Sequence, residues 1–202
     1  MKTSKILRCW VLVGLCVMSG ACGRRGPTQR EWTEDVLLKG GTTVQVHRTV
    51  KLNVSNSVSG DAYNAVELAA TLSFLGPLKN LPSWSAPRMA LVLYRDPSTM
   101  EWVIVSTSTS CEIWERSGKP KPNYWEYRLT SEGWKEVSLS RASIGRKANL
   151  FRSYDHKMKS DHITVAERER LDGDPLTLRK YREIWGDPDM YICGEGNSGK
   201  RL

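Results

Sequence analysis

After the glycine pair Gly40-Gly41, the apolar residues Val44, Val46, Val50, Leu52 and Val54 fall on alternate positions, interrupted only by Arg48. A period of two puts every second side chain on one face of an extended chain, so this run demands a sheet with one buried face. Trp32, Val36 and Leu38 precede the glycines, and the whole segment reads as a β-hairpin about a glycine turn. Val66, Leu68, Ala70, Leu72 and Phe74 alternate in the same way; the alanines would also permit a helix, Gly76-Pro77 ends the segment, and a strand is expected.

The same grammar continues through the middle of the chain. A proline-marked loop through Pro82 and Pro87 leads to Met89–Tyr94, the turn Asp96-Pro97-Ser98, and a long Val-, Ile- and Thr-rich run from Trp102 to Trp114, read as another hairpin. The loop Gly118-Lys119-Pro120-Lys121-Pro122 separates that run from Tyr124–Leu129, which the turn Ser131-Glu132-Gly133 joins to Trp134–Leu139. Only after residue 160 does the pattern turn helical. Thr164 and Glu167 form a capping box, and Asp174-Pro175 opens a second helix that places Leu178, Tyr181 and Trp185 on one side before Gly186 ends it. The expected fold is mainly β, an antiparallel sandwich or partly closed barrel with two short C-terminal helices.

The N-terminus follows a different rule. Lys2, Lys5 and Arg8 form a basic leader, an apolar segment from Trp10 to Met18 follows, and the small residues Ser19, Gly20 and Ala21 stand before Cys22. That is the order of a secretory signal. Ser19-Gly20-Ala21-Cys22 resembles the lipobox of bacterial lipoproteins. The resemblance implies cleavage before Cys22, a lipid on its thiol and, with Gly23 next, delivery to the outer membrane rather than retention at the inner one. Only Cys9 to Gly23 is free of charge; as a helix those residues reach about 22 Å, short of a hydrocarbon core of about 30 Å. The expected organisation is a signal peptide over 1–21, a lipidated tether over 22–30, one β-rich domain over 31–192, and a flexible tail over 193–202.

Removing the leader takes three of the 30 basic residues and none of the 22 acidic ones, leaving 27 against 22, a net +5. The excess is concentrated between Lys135 and Lys159. Arg141, Arg146, Lys147 and Arg152 are therefore candidates for contact with an anionic envelope surface, set against a simply solvated basic face. No motif of the nucleic-acid-binding folds occurs, and no nucleic-acid partner is expected. Of five cysteines, Cys9 and Cys16 leave with the leader and Cys22 takes the lipid, so Cys111 and Cys193 remain as the one candidate disulfide, set against two buried thiols.

Catalytic and cofactor signals are weak. Gly194 to Arg201 imitates a phosphate-binding loop but puts Arg201 where a magnesium-binding hydroxyl belongs. Asp155-His156 and Asp161-His162 match no zinc spacing, and no Gly-x-Ser-x-Gly elbow or Ser-x-x-Lys pair occurs. No metal or cofactor is expected, and catalysis is disfavoured. Trp102, Trp114, Trp125 and Trp134 read as core rather than as a sugar-stacking face. The phrases Glu31-Trp32-Thr33-Glu34, Tyr94-Arg95-Asp96-Pro97 and Gly118-Lys119-Pro120-Lys121-Pro122 are similar to those of uncharacterised proteobacterial lipoproteins over residues 31–150. The expectation is a lipid-anchored, periplasm-facing envelope module that binds or scaffolds an envelope component, with an envelope hydrolase acting on peptidoglycan or glycan as the alternative.

Overall fold

The computed structural model describes residues 28–56, 63–151, 160–172 and 181–187. Two β-sheets lie face to face without closing into a barrel. The first has five strands: β1 (Thr28–Leu37), β2 (Thr43–Asn56), β3 (Tyr63–Phe74), β4 (Trp84–Ala86) and β9 (His162–Ile163), in the order β4-β3-β2-β1-β9. The second has four: β5 (Met89–Arg95), β6 (Trp102–Thr107), β7 (Tyr124–Thr130) and β8 (Gly133–Val137), in chain order. All ladders are antiparallel except the two-residue β1–β9 pairing, which is parallel.

The β1–β2 hairpin forms where the glycine pair predicts it. Gly40 and Gly41 take φ of 99° and 84°, a region closed to most L side chains, and Leu38 N–H donates to Thr42 O at 2.8 Å across the turn. β1 then buries Trp32, Glu34 and Val36, and β2 buries Val44, Val46, Arg48, Val50 and Leu52. Arg48 does not break the alternation; it keeps the period and points into the core. β3 shows the complementary effect. Its register against β2 shifts so that Lys51 faces Ala69 and Leu52 faces Glu67, leaving Leu68 as the extra residue. Leu68 is consequently 36% exposed and Glu67 4%.

The second sheet is a central layer. Ala90, Leu93, Ile104, Trp125 and Tyr127 pack against the first sheet. Met89, Leu91, Val92, Tyr94, Val103, Val105 and Tyr124 pack on the other side, under Leu139, Ala148, Tyr181, Ile184 and Trp185. A bulge in β5 at Leu91 puts Leu91 and Val92 on the same side, which accounts for an unbroken apolar strand from Met89 to Tyr94. Trp32, Trp84, Leu72, Leu93 and Ile104 are each less than 2% exposed, and each such side chain contributes roughly 1.5–3 kcal/mol of burial.

Several boundaries differ from the sequence expectation. The run from Trp102 to Trp114 is not one strand: β6 ends at Thr107, and α1 (Cys111–Arg116) follows. Ser110 stops the strand by capping the helix, its Oγ accepting from Ile113 N–H at 3.3 Å. Cys111 is thus the first residue of a helix. The proline-marked loop contains β4, and β1 starts at Thr28, before Glu31. α2 (Val165–Asp172) begins at the predicted box, with Glu167 N–H donating to Thr164 Oγ1 at 3.2 Å. The second predicted helix does not run to Gly186, because Glu183 is in an isolated antiparallel bridge with Lys147. Its start at Asp174-Pro175 lies outside the described residues.

Candidate functional site

A backbone ribbon on the outer side of the second sheet sets the site. Gly145 N–H donates to Ile184 O, Ile184 N–H to Arg146 O, and Ala148 N–H to Arg182 O, so residues 145–148 form a short ribbon with 182–184. Asn149 then fastens this ribbon to both sheets. Its Oδ1 accepts from Leu93 N–H at 2.8 Å, and its Nδ2 donates to Leu93 O at 2.8 Å and Leu37 O at 3.1 Å. The outer edge of β5 is satisfied in this way by the Asn149 side chain at Leu93, and at Leu91 by the N–H groups of Asn149 and Leu150, which donate to its carbonyl, instead of by another strand.

Beside Asn149, between the end of β1, β5, the ribbon and α2, lies a cleft of about 810 Å³. Leu37, Leu38 and Ala148 supply apolar lining. Five cationic residues line it as well, Lys39, Arg146, Lys147, Arg168 and Arg182, against two acidic ones, Glu169 and Glu183. A formal excess of three positive charges in a concavity walled by apolar atoms focuses a field that attracts anions. Arg146 is held in place: its guanidinium lies 3.6 Å from the Tyr94 ring centroid, and its Nε donates to Ala142 O at 2.7 Å. Lys39 and Lys147 are exposed.

The segment leading into the ribbon is anchored by Glu126. This carboxylate accepts from Ser140 N–H and Oγ, Ser143 Oγ and Arg128 Nε at 2.7–2.9 Å. Burial alone would raise its pKa, but these four donors outweigh burial and lower it. Arg128 also bridges to Asp96 and Glu101, each at 3.0 Å. Asp96 is held down to about 2, first by the Ser98 hydroxyl and N–H and then by Arg128.

A second charge cluster sits in the core. Arg48, wholly buried, donates to Glu67 Oε1 at 3.0 Å and to the Phe151 carbonyl, and lies 3.6 Å from Glu34 Oε1. Phe151 N–H donates to Glu34 Oε2. Burial raises Glu34 to about 7, opposed by Arg48, the Phe151 N–H and Arg168. Glu67 is raised by burial too, with Arg48 opposing.

Of the residues singled out from sequence, Arg146 and Lys147 come together in the cleft. Arg141 is exposed on the preceding turn and does not line it, and Arg152 lies outside the described residues. Lys39, Arg168 and Arg182 were not foreseen, since each reaches the cleft from a distant part of the chain. Cys111 is disulfide-bonded; its partner, like Cys193 and Cys22, lies outside the described residues. His162 Nε2 pairs with Asp35 Oδ1 at 3.0 Å on the solvent face of β1, where His47 also lies 3.5 Å from Glu31. Asp155 and His156 are outside the described residues. Among the described residues no three His, Cys, Asp or Glu side chains form a metal-binding group, and no helix is long and apolar enough to cross a membrane. Trp114 and Trp125 are buried, and Trp102 and Trp134 pack partly buried against the core. Comparison with family models, with curated proteins and with solved structures finds no match to this chain.

Proposed function

We propose that the chain is a bacterial envelope lipoprotein, anchored by a lipid on Cys22, whose β-sandwich binds or scaffolds an anionic envelope component without catalysing a reaction. The observation that carries the binding half is the cleft, in which five cationic side chains from four separate stretches of chain converge. The address rests on the basic leader, the short apolar segment and Ser19-Gly20-Ala21-Cys22. The two halves suit one another, because acyl chains hold the domain at a surface whose anionic groups the cleft can then meet. The domain faces the periplasm, at the outer membrane in preference to the inner.

The alternative, a hydrolase acting on peptidoglycan or glycan, needs a nucleophile or an acid–base pair inside a concavity. Cys111 is taken by a disulfide, and neither it nor His162 lines the cleft. Binding is the better-supported reading.

The test uses the Cys22→Ser protein, so that lipid anchoring does not mask surface contact, and sedimentation with vesicles of phosphatidylethanolamine and phosphatidylglycerol. Each cation near an anionic surface contributes about 1 kcal/mol. Lys39→Ala, Arg146→Ala and Lys147→Ala together should therefore weaken binding about a hundredfold, and added salt should weaken the parent protein likewise. Unchanged sedimentation of a folded triple variant would refute the cleft as the binding surface.

A further inference from the structure

The five cations around the cleft are not equivalent. Arg168 is 5% exposed, donates through Nη1 to the Asn149 carbonyl, and has Glu169 Oε1 3.9 Å from Nη2. Arg182 has contacts of its own. Lys39, Arg146 and Lys147 pair with no acidic side chain among the described residues. With Arg168 offset by Glu169, the excess of three positive charges rests on those three and Arg182 against Glu183. A single negative charge would leave most of that excess standing.

Arg146 is the cation whose geometry is fixed. Its guanidinium lies over the Tyr94 ring at 3.6 Å from the centroid, and its Nε donates to Ala142 O. The ring is itself pinned, because Tyr94 Oη lies 2.9 Å from Ser143 Oγ, which donates to the Glu126 carboxylate at 2.7 Å. The two terminal amino groups of Arg146 make no hydrogen bond among the described residues and are open to solvent. A planar fork held in this way meets two oxygens of an oxyanion with little further loss of side-chain freedom. Lys39 and Lys147 add point charges with no preferred plane. Leu37, Leu38 and Ala148 give the same cleft an apolar wall, and about 810 Å³ is in the size range of whole small-molecule sites. The oxyanion is therefore the head of a larger body.

We propose that the cleft binds a phosphomonoester, with Arg146 gripping two of its terminal oxygens, Lys39 and Lys147 neutralising its charge, and the body that bears it lying against Leu37, Leu38 and Ala148. This rests on the reading of the cleft as an anion site and narrows it to one chemistry. A monoester carries close to two negative charges near neutral pH and three terminal oxygens, which matches a fork supported by two further cations. A phosphodiester carries one charge and two such oxygens. A monoester lipid and a phosphorylated sugar present the same head and differ in the body.

The test uses the full chain with Cys22→Ser at about pH 7.5, above the second phosphate ionisation at about 6. One arm measures binding to phosphatidylcholine vesicles doped with phosphatidic acid or with phosphatidylglycerol, adjusted to equal surface potential; the other titrates glucose 6-phosphate calorimetrically. A preference of about tenfold or more for phosphatidic acid assigns the lipid source, and binding of glucose 6-phosphate without that preference assigns the sugar source; both support the proposal. Arg146→Lys keeps the charge and removes the fork, so it should lower the monoester affinity about tenfold and leave phosphatidylglycerol binding nearly unchanged. A monoester affinity that survives Arg146→Lys overturns the grip by Arg146. Equal binding of both lipids with no binding of glucose 6-phosphate overturns the monoester while leaving the anion site standing. No binding of any probe overturns the anion-site reading as well. The phosphorus-31 resonance of glucose 6-phosphate, read with the unsubstituted side chains of the cleft, checks the sugar arm without a cleft variant: it must shift when that ligand binds.

Discussion

Replacing Arg48 with methionine keeps the length of the side chain and removes the one cation buried between Glu34 and Glu67. Each carboxyl must then be neutral in the folded protein. Starting from an ordinary value of 4.5, protonating one at pH 8 costs close to 5 kcal/mol, whereas at pH 5 it costs less than about 1 kcal/mol. Glu34, already raised to about 7, bears part of that cost in the parent protein. The net loss at pH 8 should therefore be about 3–5 kcal/mol, the range for breaking a buried ion pair from one side. At pH 5 it should shrink to about 1–2 kcal/mol, for the lost bond to the Phe151 carbonyl and the Trp32 ring contact at 5.5 Å. Urea unfolding of both proteins at the two pH values measures the difference. An equal loss at both, or a loss below about 1 kcal/mol at pH 8, would refute the claim that two buried carboxylates depend on Arg48.

The parent protein should itself respond to pH. Glu34 has a folded value above its unfolded one, so its contribution is most favourable at acid pH and is lost as pH rises from 4.5 to about 7. The change is about 3 kcal/mol, reinforced in direction by Glu67. Glu34→Gln should flatten that slope in thermal melts across the window. Asn149→Ala should destabilise by about 2–3 kcal/mol and speed amide exchange at Leu93, since the Leu93 N–H and C=O both lose their partner. Peptide mapping without reductant should join Cys111 to Cys193; a link to any other cysteine would contradict the assignment of Cys22 to the lipid.

The alternation in β1, β2 and the later strands was legible because a half-buried sheet writes a period of two directly into sequence. Arg48 looked like an interruption for the same reason: polarity suggests the solvent face, and its partners Glu34 and Glu67 come from other strands. Glu67 faces inward only because of the bulge at Leu68, which no local pattern announces. The Val and Thr content up to Thr107 concealed the end of β6, although Ser110 before Cys111 was a visible helix cap. Two of the five cleft cations, Arg146 and Lys147, could be read as neighbours in a basic segment. Lys39, Arg168 and Arg182 join them through the pairing of 145–148 with 182–184 and the docking of Asn149 on Leu37 and Leu93, contacts that span much of the chain.

The lipid anchor proposed on Cys22 is tested most directly by intact-mass and fractionation analysis of the protein expressed in a diderm bacterium, with Cys22→Ser beside it. Loss of residues 1–21, a diacylglyceryl mass on Cys22 and membrane retention are expected in the parent, with the variant unmodified and released from the membrane by salt. A parent that lacks the diacylglyceryl mass and is retained no better than the variant would contradict it.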